Sequence, residues 1–327
     1  NLDPEMPKIT MQAPEINNER LLERKIKNIL SNGAKLTEVY NYSFVSEDQL
    51  KKLNIELSQT IKLANSLSED LTILRPSLIP SLLKNIKINQ AKYENINLFE
   101  IGNIFLNLQG DINKDNESKE TLPKQEKYLG IVVAASKDNN LFYTIKGIVE
   151  YLMNNFGLEV NFEPVEIYQG WADKKIIAQI NVSNKNIGIV AQLDNQIAEN
   201  LGIKKQVAVA EINFQKLYDL ISSTQEKNYK ELEKFPSVVR DLAFVVNSEI
   251  LYSAIKNEIE NFNNLIKQVE LFDVYQGEKL GQNKKNLAFH IIYQASDRTL
   301  TINEIDAMQA KLIKNLEKKF QAQIRNF

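Results

Sequence analysis

Ser237-Val-Val-Arg-Asp-Leu-Ala-Phe-Val-Val246 is dense in β-branched and aromatic side chains and reads as a β-strand. Leu251 to Phe262 then carries helical spacing, while Ile266 to Tyr275 and Lys285 to Gln294 return to the strand pattern. Gln276-Gly277 and Leu280-Gly281 mark the turn region between those two strands. Ile302 to Phe320 reads as a second helix and Ala322 to Arg325 as a last strand. Thr301-Ile-Asn-Glu304 supplies that helix with a capping box, in which the threonine hydroxyl caps and the glutamate reaches back. The order strand, helix, strand, strand, helix, strand predicts a ferredoxin-like βαββαβ unit over residues 233–327. Within it, Asn286-Leu-Ala-Phe-His-Ile-Ile-Tyr293 alternates, so His290 is expected on the less buried face of its strand, while Phe244, Phe272 and Phe289 are expected in the core as large aromatics.

Working back from this unit, Ser222 to Glu233 is polar and charged, which places a linker at 223–232. Residues 1–222 read as a separate α+β region with an antiparallel-sheet core. Leu21, Leu22, Ile26, Ile29 and Leu30 give an amphipathic helix over Asn17 to Ser31, stopped by Asn32-Gly33. Val39 to Val45 reads as a strand, Pro76 to Gln90 as a helix, and Ile96 to Leu106 and Tyr128 to Ala134 as strands. The polar stretch Asn107 to Lys127 has few large apolar groups to offset the entropy of ordering, so a mobile loop is expected there. Phe142 to Phe156 is helical by spacing; Ile176 to Val182 and Ile187 to Leu193 form a hairpin around Ser183-Asn184. Val207 to Ile212 is a strand and Phe214 to Ser222 a helix, and Trp171 is expected as a core or interface anchor. The opening Asn1-Leu-Asp-Pro-Glu-Met-Pro7 reads as an extended connector, and the chain is expected to begin partway through a longer one.

Composition excludes several chemistries. With no cysteine there is no disulfide, no thiolate zinc site and no cysteine nucleophile; with one histidine, imidazole catalysis would rest on His290 alone. No apolar run approaches the roughly 18 residues of a membrane helix, so a cytoplasmic protein is expected. A net charge of −2 offers a polyanion no general attraction, and any nucleic-acid contact must come from a local patch.

Four ordered blocks, Phe235-Pro-Ser-Val-Val-Arg-Asp-Leu-Ala-Phe-Val-Val246, Val269-Glu-Leu-Phe-Asp-Val-Tyr-Gln-Gly277, Lys284-Lys-Asn-Leu-Ala-Phe289 and Arg298-Thr-Leu-Thr301, closely resemble the anticodon-binding domain of phenylalanyl-tRNA synthetases. Asn41-Tyr-Ser-Phe44, Leu67-Ser-Glu-Asp-Leu71, Leu74-Arg-Pro-Ser-Leu78 and Leu98-Phe-Glu-Ile-Gly102 resemble the class II synthetase-like core of the bacterial β subunit. The resemblance implies a β-subunit portion that supports a catalytic α subunit in an α2β2 heterotetramer and binds tRNA for phenylalanine by its anticodon. ATP and magnesium would belong to the α subunit, with no cofactor or metal bound by this chain. A class II site needs fixed guanidinium groups for the triphosphate and the charge developing at the α-phosphate. By the resemblance, Leu98 stands where one such arginine belongs, and Val207 to Phe214 replaces the glycine-rich motif that carries the other, so no catalytic residue is expected here.

On the same footing, Arg240, Lys284, Lys285, Arg298 and Arg325 are candidate phosphate or base contacts and Tyr275 a candidate stacking surface. Arg240 has a competing reading as a surface ion pair with Asp241 or another acid. Leu22, Ile26, Tyr42, Phe44 and Arg75 are candidates for the subunit interface; Arg75 reads either as an ion pair or partner contact or as a solvated arginine before a helix, and Glu100 as a structural hydrogen-bonding acid rather than one retained from a catalytic ancestor. Two rivals remain open: a single-chain organellar-type synthetase, which would need the missing arginines, and a ferredoxin-like protein-interaction module that binds no RNA.

Overall fold

The computed structural model describes residues 15–66, 68, 70–112, 121–136, 140–165, 169–223, 234–277, 280–281 and 283–324. They fall into two compact units, Asn1–Lys227 and Asn228–Phe327. Of the expected linker, Ser223 closes a helix and the rest lies outside the described residues.

The first unit opens with α1 (Asn18–Asn28), capped by the Asn17 side chain, which accepts from the Arg20 amide at 2.9 Å, and continued by a wide turn, Ile29–Gly33. There follow β1 (Thr37–Glu38), β2 (Phe44–Val45), α2 (Glu47–Lys52), β3 (Ile61–Lys62), β4 (Ile73–Leu74), α3 (Ile79–Asn89), β5 (Asn95–Ile112) and β6 (Thr121–Ala135). The unit ends with α4 (Leu141–Asn155), β7 (Val160–Glu163), β8 (Ala172–Val182), β9 (Lys185–Leu193), α5 (Asn195–Leu201), β10 (Gln206–Asn213) and α6 (Phe214–Ser223). Seven strands form one sheet in the order β1-β5-β6-β10-β9-β8-β7, antiparallel except for the β1–β5 pair, and β2-β4-β3 form a small second sheet. Ser183 and Asn184, with φ of 50° and 60°, make the tight turn between β8 and β9 that right-twisted strands favour.

Alternation along β5, β6 and β10 sends side chains to two buried faces. Phe99, Ile101, Ile131, Val133, Ala208 and Ala210 pack with α1, α4 and α6. Ile96, Leu98, Val132, Ala134, Val207 and Val209 pack with α3 and α5. Trp171, 2% exposed, anchors this second layer as a core residue.

Two expectations fail here. Val39 to Val45 is not one strand: only Phe44 and Val45 belong to β2, and the segment before them leaves the ladder because its polar groups are held elsewhere. The Asn41 amide and side chain bond to Glu100, and the Ser43 carbonyl accepts from the Arg75 amide. Nor are the described parts of Asn107 to Lys127 a loop. β5 and β6 run into it from both ends, pairing through Leu106–Lys124, Gln109–Pro123 and Ile112–Thr121 with two register shifts. A ladder joins backbone groups, so it persists where apolar side chains run out. Residues 113–120 lie outside the described residues.

The second unit comprises β11 (Val238–Asn247), α7 (Tyr252–Glu260), β12 (Ile266–Tyr275), β13 (Lys284–Tyr293), α8 (Ile302–Phe320) and β14 (Gln323–Ile324). The sheet order β12-β13-β11-β14, all antiparallel, is the ferredoxin-like arrangement. Leu242, Phe244, Val246, Leu287, Phe289 and Ile291 face the helices and meet Ile255, Ile259, Ile305, Leu312 and Leu316. The capping box at Thr301 and Glu304 forms in full.

Candidate nucleic-acid interface

One face of the second sheet carries both helices; among the described residues of this unit no element covers the other. The cross-strand register names its side chains, since directly opposed residues share a face. Tyr275 lies opposite Asn286, which lies opposite Val245; Asp273, Ala288 and Ala243 form the next row, and Glu270, His290 and Asp241 the one after. Ala288 and Ala243 in the middle row are buried among the longer side chains around them. Tyr275 is 41% exposed, and its hydroxyl lies where a Cβ at Gly277 would stand, 2.5 Å away, so glycine is needed there for the ring to take this position. Asn286 is buried beside it, with its side-chain oxygen unpartnered.

Phe272 was expected in the core and is not there. Val269 and Leu271 face the helices, so alternation puts Phe272 with Glu270 on the open face, 43% exposed, where its ring stacks on His290 with centroids 4.0 Å apart. His290 lies on the open face as expected, with Nδ1 2.7 Å from Asp241 Oδ1.

The five cationic candidates do not form one patch. Lys284 is exposed on the open face, its Nζ donating to Gln323 at 3.4 Å. Lys285 points the other way, donates to the Ser248 carbonyl at 3.0 Å, and is pushed below the usual lysine range by burial. Arg240 faces the helices and pairs with Asp306 at 3.3 Å, while Arg298 pairs with Glu304 at 2.9 Å, so both are engaged at the start of α8. Arg240 is opposite Ile291, six residues along β13 from Lys285, or about 20 Å at the rise of a strand. Arg325 lies outside the described residues. Sequence reasoning missed that side-chain direction, set by strand parity, would divide the cations; the alternation of β11 and β13 contained that signal.

In the first unit, Arg75 Nη1 meets Glu100 Oε1 at 2.6 Å with both side chains buried, and Arg75 Nε donates to the Asn103 carbonyl at 2.8 Å. Asn41 Nδ2 donates to Glu100 Oε2 at 2.7 Å, and Asn85 donates to Asn41. Arg75 is thus a buried ion-pair residue, not a solvated arginine. Glu211, on β10, accepts from Ser77 Oγ and the Leu78 amide, both at 2.7 Å, and so caps α3 from the sheet. Burial pushes its carboxyl above the ordinary range, against those hydrogen bonds and Arg75.

These contacts seat α3 on the sheet face that holds Leu98, Val207 and Val209, all buried against Leu78, Leu82 and Leu83. The positions where the resemblance asks for guanidinium groups therefore hold aliphatic side chains, Val207 and Val209 packed inside and Leu98 beside a cleft, and these offer no donor that fits a nucleotide triphosphate with its magnesium. Among the described residues no three acidic or imidazole groups converge as metal ligands.

The subunit-interface candidates separate as well. Leu22 and Ile26 turn into the unit's own core, and Phe44 is half-buried. Tyr42 is 78% exposed, and Tyr40 and Tyr93 are exposed too. Tyr40 and Tyr93 line a cleft of about 520 Å³ with Asn41, Asn85, Asn89, Asn97 and the aliphatic Val39, Ile96 and Leu98, an uncharged mix of phenols, carboxamides and hydrocarbon.

Residues 2–214 match the family model described as the phenylalanyl tRNA synthetase beta chain CLM domain, and residues 233–325 the ferredoxin-fold anticodon binding domain. The phenylalanine–tRNA ligase beta subunit of Carboxydothermus hydrogenoformans is 32% identical over 96% of this chain and 39% of its own length. That of Geobacillus kaustophilus is 33% identical over 92% of this chain and 37% of its own. The chain thus spans about two fifths of the length of these relatives. Among solved structures, pyrrolysyl-tRNA synthetase from Desulfitobacterium hafniense is similar at a TM-score of 0.49 and 16% identity, over 66% of this chain and 74% of that one. No described helix is long and apolar enough to cross a membrane. Matched through both of its units, the chain belongs to the phenylalanyl-tRNA synthetase beta-chain family.

Proposed function

We propose that this chain serves a cytoplasmic phenylalanine–tRNA ligase as a non-catalytic portion of its β subunit. Its second unit binds the anticodon stem-loop of tRNA for phenylalanine on the open sheet face, with Tyr275 stacking on an unpaired base and Lys284 holding a phosphate at the rim. Its first unit supports a separate α subunit, in an α2β2 assembly, that supplies the ATP, magnesium and phenylalanine chemistry. The observation that carries the division of labour is the aliphatic filling at Leu98, Val207 and Val209. Electrostatic stabilisation at the α-phosphate requires fixed donors, and packed hydrocarbon offers none. Tyr40, Tyr42 and Tyr93 are the side chains best placed for the α subunit, since exposed tyrosines contribute large contact area at small entropic cost.

The purified chain, free of any α subunit, is expected to show no phenylalanine-dependent exchange of pyrophosphate into ATP. Clear exchange by that preparation would overturn the assignment. Sedimentation with an α subunit tests the other half, and a chain that stays monomeric beside it contradicts the supporting role.

A further inference from the structure

The open face of the second sheet has a second aromatic centre, three residues along β12 from Tyr275 and so about 10 Å away. Phe272 sits at the register shift of an edge strand, and its ring lies at 13° to the His290 ring. The pairing of His290 with Asp241 fixes the plane of the imidazole, so the stack is held from beneath. Val239, on the neighbouring strand, adds exposed apolar surface. An aromatic pair left in water on an uncovered face is costly unless something stacks on it.

The surroundings select what that something is. Asp241 and Glu270 lie opposite His290 on either side, and Asp273 one row further on. A phosphate brought among three carboxylates meets like charge at every approach. A nucleobase meets none of that penalty: its π-face suits the rings, and its amino and imino N–H groups are the donors that carboxylates accept. Lys284, which can hold a phosphate, is six residues along β13 from His290, about 20 Å away. Backbone contacts at one end and base contacts at the other are what a single-stranded loop crossing the sheet would need.

We propose that Phe272 and His290 form a nucleobase subsite, separate from Tyr275, for an unpaired base of the anticodon loop, with Asp241 or Glu270 accepting from that base's amino or imino group. The proposal rests on the anticodon-binding role given above.

The test uses the chain assembled with its α subunit and anticodon stem-loop RNAs that carry one abasic site at each loop position in turn. Phe272→Ala is expected to weaken binding of the intact stem-loop roughly tenfold, the scale of one lost base stack. That loss should vanish with one abasic RNA, at a different position from the one that silences Tyr275→Ala. Phe272→Leu keeps apolar bulk without a ring and should behave like the alanine variant, which separates stacking from any effect on folding. Full affinity in both Phe272 variants, a loss equal for every abasic RNA, or coupling to the same position as Tyr275 overturns the subsite. If Phe272→Ala weakens association with the α subunit and leaves RNA binding intact, the face is a protein contact and the proposal falls. If the unaltered assembly does not prefer the anticodon stem-loop to an unrelated hairpin, the anticodon-binding role itself fails first and takes the subsite with it.

Discussion

Arg75 and Glu100 illustrate how a side chain read as a possible partner contact is claimed by its own chain. Their ion pair is buried, and Asn41 and the Asn103 carbonyl satisfy other polar atoms around it. A buried pair contributes little over a well-packed apolar pair, but removing one member strands the other in low dielectric. Arg75→Met is therefore expected to destabilise the first unit by about 3–5 kcal/mol, and adding Glu100→Gln to recover most of that. Urea denaturation of the two variants beside the unaltered chain reads the difference; a near-neutral Arg75→Met would mean the network is not what holds this corner. The sequence showed the arginine and the acid but not their meeting, because 25 residues separate them and only the fold closes that distance. Phe272 was misread on residue type: a large aromatic suggests core, whereas alternation from Val269 and Leu271, which face the helices, puts it on the other face beside Glu270.

Elements with local signals were legible and elements built from long-range pairing were not. α8 begins where its capping box predicts, because Thr301 and Glu304 are three residues apart and need nothing else to find each other. The Thr301 amide and hydroxyl, with Arg298, hold the Glu304 carboxyl at about 2, against an ordinary 4.5. A depressed carboxylate stabilises the fold fully above its unfolded value and loses that contribution as pH falls towards its folded one. Acidification from about pH 4.5 towards 2 should thus lower the melting temperature of the second unit more in the unaltered chain than in Glu304→Gln. Parallel slopes in the two proteins would show that the cap carries no charge-dependent stability. The β5–β6 hairpin was illegible for the converse reason: its outer part is held by backbone pairing that composition does not report. Close packing between strands is equally silent in sequence. At Gly188 on β9 a Cβ would lie 2.2 Å from the Glu211 carbonyl oxygen, which is backbone and cannot swing aside. Gly188→Ala should cost about 1–3 kcal/mol through forced separation of β9 from β10. A thermal melt unchanged by that substitution would contradict so tight an approach.

At the scale of the whole molecule, the order of elements followed from pattern, while which side chains share the open sheet face did not. The βαββαβ order and the antiparallel core were readable because hydrophobic period and turn residues recur within short windows. The open face was not, since it depends on which parity of each strand the helices cover. That parity removes Arg240 and Lys285 from the face, leaves Lys284 on it, and adds Phe272, His290 and Asn286. The resulting surface is aromatic and acidic in the middle and cationic at one end, suited to reading bases more than to gathering phosphates. Affinity for tRNA should accordingly depend on the loop's bases. The most direct measurement is the affinity of the chain, assembled with its α subunit, for tRNA for phenylalanine and for the same tRNA with its anticodon loop replaced. The expected result is at least a roughly tenfold loss on replacing the loop, reduced or abolished in Tyr275→Ala. Equal affinity for the two tRNAs, with the assembly intact, would contradict the assignment of this sheet face to the anticodon.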